Sequence, residues 1–107
     1  MTTVEVWRDD RGVCGLRVSG HAGYAPEGED IVCAAASVLI TTCANAMESV
    51  AGIQPLVRQS RQPAELSVAL PPGFPWEREH DARVILQTAL RGFQDIAERY
   101  PQYLQII

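Results

Sequence analysis

The stretch "IVCAAASVLITTCANAMESVAG", from Ile31 to Gly52, carries one charged residue, Glu48, and no proline. It is far longer than a strand. Length and periodicity therefore predict a helix, although the β-branched Ile31, Val32, Thr41 and Thr42 work against the helix-favouring alanines. At about 100° per residue, Ile31, Ala35, Val38, Leu39 and Thr42 share one face, and Ile40, Cys43 and Met47 widen it. Asp30 stands where an N-cap belongs, and Gly52 where the helix should end. The rest of the chain must supply the surface against which this helix buries its apolar side.

The flanking segments read as that surface. In "TTVEVWRDDRGVCGLRVSG" apolar residues alternate in period two, with Val4 and Val6 before the turn and Val13, Leu16 and Val18 after it. "DDRG" is a turn signal, so the spacing predicts a hairpin with strands near 2–8 and 13–19. Residues 20–29 hold Gly20, Gly23, Pro26 and Gly28 and read as loop. "PLVRQSRQPAELSVALPP" predicts a second hairpin, with Leu56 and Val57 on one arm and Leu66, Val68 and Leu70 on the other. Pro63 lies at its turn, and Pro71-Pro72 ends it. From about Arg78 to Tyr100, Ala82, Ile85, Leu86, Ala89, Leu90, Phe93, Ile96 and Ala97 recur at helical spacing. Glu77, Glu79 and Asp81 suit the start of this helix, Arg99 its end, and Pro101 stops it. The final "QYLQII" reads as a short extended tail.

The order β-β-α-β-β-α predicts an α+β fold over a single domain, residues 1–107: a two-layer sandwich of a four-stranded, mainly antiparallel sheet with both helices on one face. The open sheet edges invite self-association. All nine basic residues are arginines spread along a chain of net charge −4, which disfavours direct nucleic-acid binding. No run of eighteen or more apolar residues suggests a membrane span, and "MTTVEVWRDD" does not resemble a secretory signal, so the cytoplasm is the expected location. The three cysteines, Cys14, Cys33 and Cys43, show no CxxC spacing and fit reduced thiols rather than a disulfide framework.

One of these cysteines stands apart. With Asp30 as N-cap, Cys33 falls in the first helical turn, where unpaired N–H groups and the helix dipole favour a thiolate. Ser37 lies one turn further along the same edge. His21 directly follows a strand, between Gly20 and Ala22, and the intervening loop closes on the helix start at little entropic cost. Cys14 sits within a strand and Cys43 on the wide apolar face, where packing explains them; His80 lies in the charged cluster "WEREHDAR" and is expected at the surface. His21, Asp30 and Cys33 supply three possible metal ligands, but no second His/Cys pair with tight spacing supports them. "GYAPEGED" precedes a helix, yet its acids would repel a phosphate. The remaining assignment is a thiolate nucleophile with histidine as acid/base, helix-start N–H groups as oxyanion donors, and Asp30 either capping the helix or orienting the His21 ring. No cofactor is required. Spacing alone stops at a Cys/His hydrolase of unknown substrate.

The block "GHAGYAPEGEDIVCAAAS" resembles the signature of the ribosomal-processing cysteine protease family, Prp. The matching residues are Gly20, His21 and Ala22, a Gly-containing loop, then Gly28, Asp30, Ile31, Val32, Cys33, Ala34 and Ser37. Asn45-Ala46 and "ILQTAL" at 85–90 extend the likeness along the chain. The resemblance implies a small cytoplasmic peptidase, usually a homodimer. It implies removal of the N-terminal extension of the large-subunit ribosomal protein L-twenty-seven after an aromatic residue. In that reading Cys33 is the nucleophile and His21 its partner, Gly20, Gly28, Asp30 and Ser37 support the site, and residues 22–29 form a substrate lid. The other class left open is a non-catalytic ribosome-associated module that holds a peptide tail in the same cleft.

Overall fold

The period-two alternation of the N-terminal segment is realised as a hairpin. The computed structural model describes all 107 residues and pairs β1 (Thr2–Asp9) antiparallel with β2 (Gly12–Ser19). Val4 lies opposite Val18 and Val6 opposite Leu16, and Val4 and Leu16 are fully buried on the face that carries the helices. On the other face Trp7 lies over Gly15, where a Cβ would come within 2.6 Å of the indole. The second hairpin, β3 (Leu56–Arg61) and β4 (Ala64–Ala69), joins the first through β4, with Val68 opposite Leu16. The strand order is β3-β4-β2-β1 and then a fifth strand.

That fifth strand corrects the four-stranded expectation. The tail does not run free: β5 (Leu104–Ile106) pairs parallel with β1, setting Leu104 beside Thr2 and Ile106 beside Val4. Three residues are too few to show periodicity, and the partner lies a hundred positions away, so nothing local marks this strand. Both ladders of β1 are now filled, which leaves β3 as an open edge with all six residues exposed.

The helices α1 (Ile31–Ser49) and α2 (Trp76–Arg99) pack on each other and on the same sheet face, α1 over β4 and β2, α2 over β2 and β5. Gly92 makes this possible at one point: a Cβ there would meet the Leu39 side chain at 2.8 Å. Past the end of α1, Gly52 adopts φ 69°, and the Ile53 N–H reaches back to the Met47 carbonyl. In α2, Ala82, Leu86, Ala89, Leu90 and Phe93 are buried, with Glu77 and Glu79 in the first turn and Arg99 in the last.

The inward face of α1 differs from the periodicity reading. Val32, Ala36, Ile40, Cys43 and Met47 are buried, whereas Ile31 and Val38 are 51% and 64% exposed. A helix apolar nearly all round gives no moment that points to its core, so the sheet rather than the local pattern chooses the face. By length and composition α1 alone is also apolar enough to span a bilayer; here it packs one face on the sheet and on α2.

Arg83 fastens α2 to the first hairpin. Its guanidinium donates to both Asp9 carboxylate oxygens at 2.8 Å and to Glu79 at 2.9 Å, and Arg11 reaches Glu79 at 3.1 Å.

Candidate active site

β2 ends at Ser19, and the φ of 82° and close approach to Met1 at the next residue, Gly20, exclude a side chain: a Cβ would lie 2.7 Å from the Met1 carbonyl oxygen. The Gly20 N–H donates to the Ala64 carbonyl at 2.9 Å. This sharp exit sets His21 at the rim of a cleft and turns Ala22 inward to 3% exposure. The Ala22 N–H then points at the Cys33 Sγ from 3.3 Å, joining the two ends of the loop.

Asp30 closes the same loop from the other side. Its Oδ1 accepts from the Val32 and Cys33 N–H groups, each at 3.0 Å, and starts α1. Its Oδ2 accepts from the N–H groups of Tyr24 at 3.0 Å and Ala25 at 3.4 Å. The Cys33 N–H is the main cause that holds the Asp30 carboxyl below the usual carboxylate range. Partial burial opposes the shift, and the Ala25 and Tyr24 N–H groups add to it. Of the two jobs open from sequence, Asp30 performs the cap, and its hydrogen bonds run to backbone N–H groups rather than to the His21 ring. Four donors occupy the roughly four acceptor positions of a carboxylate, so Asp30 is arranged as a structural acceptor rather than a metal ligand.

Cys33, half-buried in the first turn of α1, opens onto a cleft of about 480 Å³. The cleft brings together His21, Gly28, Asp30, Cys33 and Ser37. Gly20 instead lines an adjoining groove of about 710 Å³ that shares His21, Glu27 and Ser37 with the cleft. That groove has Val18, Ile40 and Leu66 among its lining residues and runs to the second hairpin at Gln59, Arg61 and Glu65. Sequence reading named Ala34 only as part of the signature and Glu27 only as part of the 22–29 lid, and it missed the whole contribution of β3 and β4. Only the strand order, which sets β4 beside β2, brings that hairpin to the site.

Three of the helix-start N–H groups are already engaged within the protein. Those of Val32 and Cys33 are taken by the Asp30 carboxylate, and that of Ala34 by the Asp30 carbonyl at 3.0 Å. They are not free to receive an oxyanion. The backbone donor aimed at the sulfur is that of Ala22.

The environments of the other two thiols favour the protonated form. Burial, followed by the charge of Asp9, pushes the Cys14 thiol up, and burial alone pushes Cys43 up to about 11. His80 is exposed, stacked on Trp76 at 4.8 Å and 3.7 Å from Asp81, away from the cleft.

The sequence model of the family described as "Cysteine protease Prp" matches residues 1–105. A ribosomal processing cysteine protease Prp from Bacillus subtilis (strain 168) is 24% identical over 97 residues, covering 91% of this chain and 87% of the relative. Two crystal structures of the essential ribosomal processing protease Prp from S. aureus, each 28% identical, share the fold. The one with a covalently linked product peptide has a TM-score of 0.87 and covers 99% of this chain and 97% of its own. The one with a substrate peptide has a TM-score of 0.82, with 100% and 98% covered.

Proposed function

The chain belongs to the cysteine protease Prp family, and from that membership we propose that it is a ribosomal processing endopeptidase in which Cys33 is the nucleophile and His21 its acid/base partner. The observation that carries this reading is the Ala22 N–H to Cys33 Sγ contact, which ties the residue next to His21 to the thiol at the mouth of one cleft. His21 takes the proton from the Cys33 thiol as sulfur attacks the scissile carbonyl. The Ala22 N–H, directed at the sulfur, favours the thiolate as the attacking form. His21 then protonates the leaving amine as the thioester forms. A water, deprotonated by the same imidazole, releases the acid and restores the thiol.

The substrate we propose is the N-terminal extension of the ribosomal protein L-twenty-seven precursor, cut in the cytoplasm, where thiols stay reduced. The three free cysteines suit that compartment. The groove from His21 to Arg61 and Glu65 offers room for an extended chain, with apolar Val18, Ile40 and Leu66 in its lining for an aromatic side chain near the cut. We also propose a homodimer, supported by the outward Ile31 and Val38 of α1 and by the open β3 edge with Leu56 and Val57 exposed. Sedimentation equilibrium at micromolar concentration returning only a monomer removes that assembly.

Incubation with a peptide that carries the extension and its junction tests the reading. Wild type should cut once at the junction. Cys33→Ala should bind the peptide without cutting it, and His21→Ala should lose on the order of 100-fold or more in rate. Cleavage by Cys33→Ala at the wild-type rate would overturn the nucleophile assignment. Binding by wild type with no cleavage would instead favour a peptide-holding module.

A further inference from the structure

The loop between His21 and Cys33 has little side-chain mass with which to hold itself in place. Gly23 and Gly28 sit at φ 73° and 90° with open space around them, and Pro26, Glu27 and Glu29 are exposed. Tyr24 is also exposed, at 42%, but differs in what its ring touches. Gly23, Ala25 and Glu27 line the cleft, whereas Tyr24 does not line it and packs against two other tyrosines. Its ring meets Tyr100 edge-to-face at 5.7 Å and 77°, and Tyr103 at 5.2 Å and 85°.

The platform under Tyr24 is fixed to the body of the protein. Tyr100 caps α2, and the Tyr103 N–H donates to the Tyr100 carbonyl at 3.0 Å. The Tyr103 carbonyl accepts from the Thr2 N–H at 2.9 Å, and the next residue begins β5, paired to β1. Tyr100 and Tyr103 are half-buried against the core.

We infer that Tyr24, seated on Tyr100 and Tyr103, is a positioning residue that latches the His21 loop in its closed form, so that the C-terminal segment sets how tightly substrate binds. The inference rests on the peptidase reading of the cleft. Asp30 holds the backbone of the loop through the Tyr24 and Ala25 N–H groups, and the tyrosine cluster holds its side-chain end. Without the latch the closed loop is a minor form, and part of the binding energy of the substrate goes into reforming it. Apparent affinity falls by the fraction closed, while the rate at saturation is retained.

Steady-state kinetics on the junction peptide separates this from a general structural role. Tyr24→Ala should raise KM about tenfold with kcat within about twofold, the pattern of a depleted competent form. Tyr24→Phe, which keeps the ring, should behave as wild type. Tyr103→Leu, outside the cleft, should raise KM in the same way. Loss of kcat at unchanged KM, or a Tyr103→Leu enzyme with wild-type KM and a lowered melting temperature, overturns the latch. Hydrogen exchange of residues 22–29 without substrate gives a readout independent of catalysis. Exchange there should be faster in Tyr24→Ala and Tyr103→Leu but not in Tyr24→Phe. Equal exchange in all four proteins overturns the latch, whereas failure of wild type to cut the peptide overturns only the peptidase reading.

Discussion

The backbone N–H of Ala22 is directed at the Sγ of Cys33 from 3.3 Å, so a buried residue beside His21 is hydrogen-bonded to a thiol eleven positions later. Of the three thiols, Cys33 alone combines a helix start, a backbone donor and a cleft. Iodoacetamide at neutral pH should therefore label the folded protein first at Cys33, with Cys14 slower and Cys43 silent until unfolding. Burial keeps the last thiol protonated up to about pH 11 and out of reach. Peptide mapping by mass spectrometry reads the order. Faster modification at Cys14 or Cys43 than at Cys33 would sink the assignment of Cys33 as the reactive thiol.

Two glycines of the signature should fail in different ways when replaced by alanine. Both have positive φ, 82° at Gly20 and 90° at Gly28, a conformation that costs an L-residue about 1–2 kcal/mol. At Gly20 the new Cβ also meets the Met1 carbonyl oxygen at 2.7 Å, backbone that leads directly into β1. Gly20→Ala should therefore lose more than that amount in urea unfolding. At Gly28 a Cβ would meet nothing within 4 Å, so only the backbone cost applies there. Gly28→Ala should lose no more than about 1–2 kcal/mol in urea unfolding and show its effect in peptide cleavage. Equal destabilisation by the two would contradict the steric difference.

What the sequence reveals here follows from how local each cause is. The first hairpin, the loop, the Asp30 cap and the Cys33 position are each specified by a few neighbouring residues, and all appear where the pattern sets them. The inward face of α1 was not legible. Ile31 and Val38 are as apolar as Val32 and Ile40, and only the register of β2 and β4 beneath the helix decides between them. β5, the β3–β4 wall of the groove and the Tyr24 platform share a different cause. Each joins segments tens of residues apart or more, through contacts that leave no spacing to read. That two of the helix-start N–H groups are already engaged was not legible for a related reason. The same Asp30 whose presence marks the helix start consumes the Val32 and Cys33 N–H groups that make a helix start attractive to an anion.

Acid should release the Arg83 clamp before it unfolds the sheet. Hydrogen bonds from Arg83 first, and then from the Arg11 N–H, hold the Asp9 carboxyl down at about 2, and the Arg83 hydrogen bond likewise lowers Glu79. A folded-state value below that of the unfolded chain, about 3.9 for aspartate, means the folded protein binds fewer protons in that interval. The stabilisation is therefore complete above about pH 4 and disappears as pH falls from about 4 towards 2. Arg83→Met removes the donor and should lower the melting temperature near neutral pH. The gap to wild type should then narrow through that window, because wild type loses what the variant already lacks. Asp30 stands outside the clamp, and its lowered value, caused first by the Cys33 N–H, persists in both proteins. Both should thus retain an acid limb from Asp30, and with it a loss of cleavage as the cap protonates. Thermal melts of the pair from pH 6 to pH 2 decide the matter. A gap that stays constant across the range would mean that Arg83 contributes packing along its stem rather than charge.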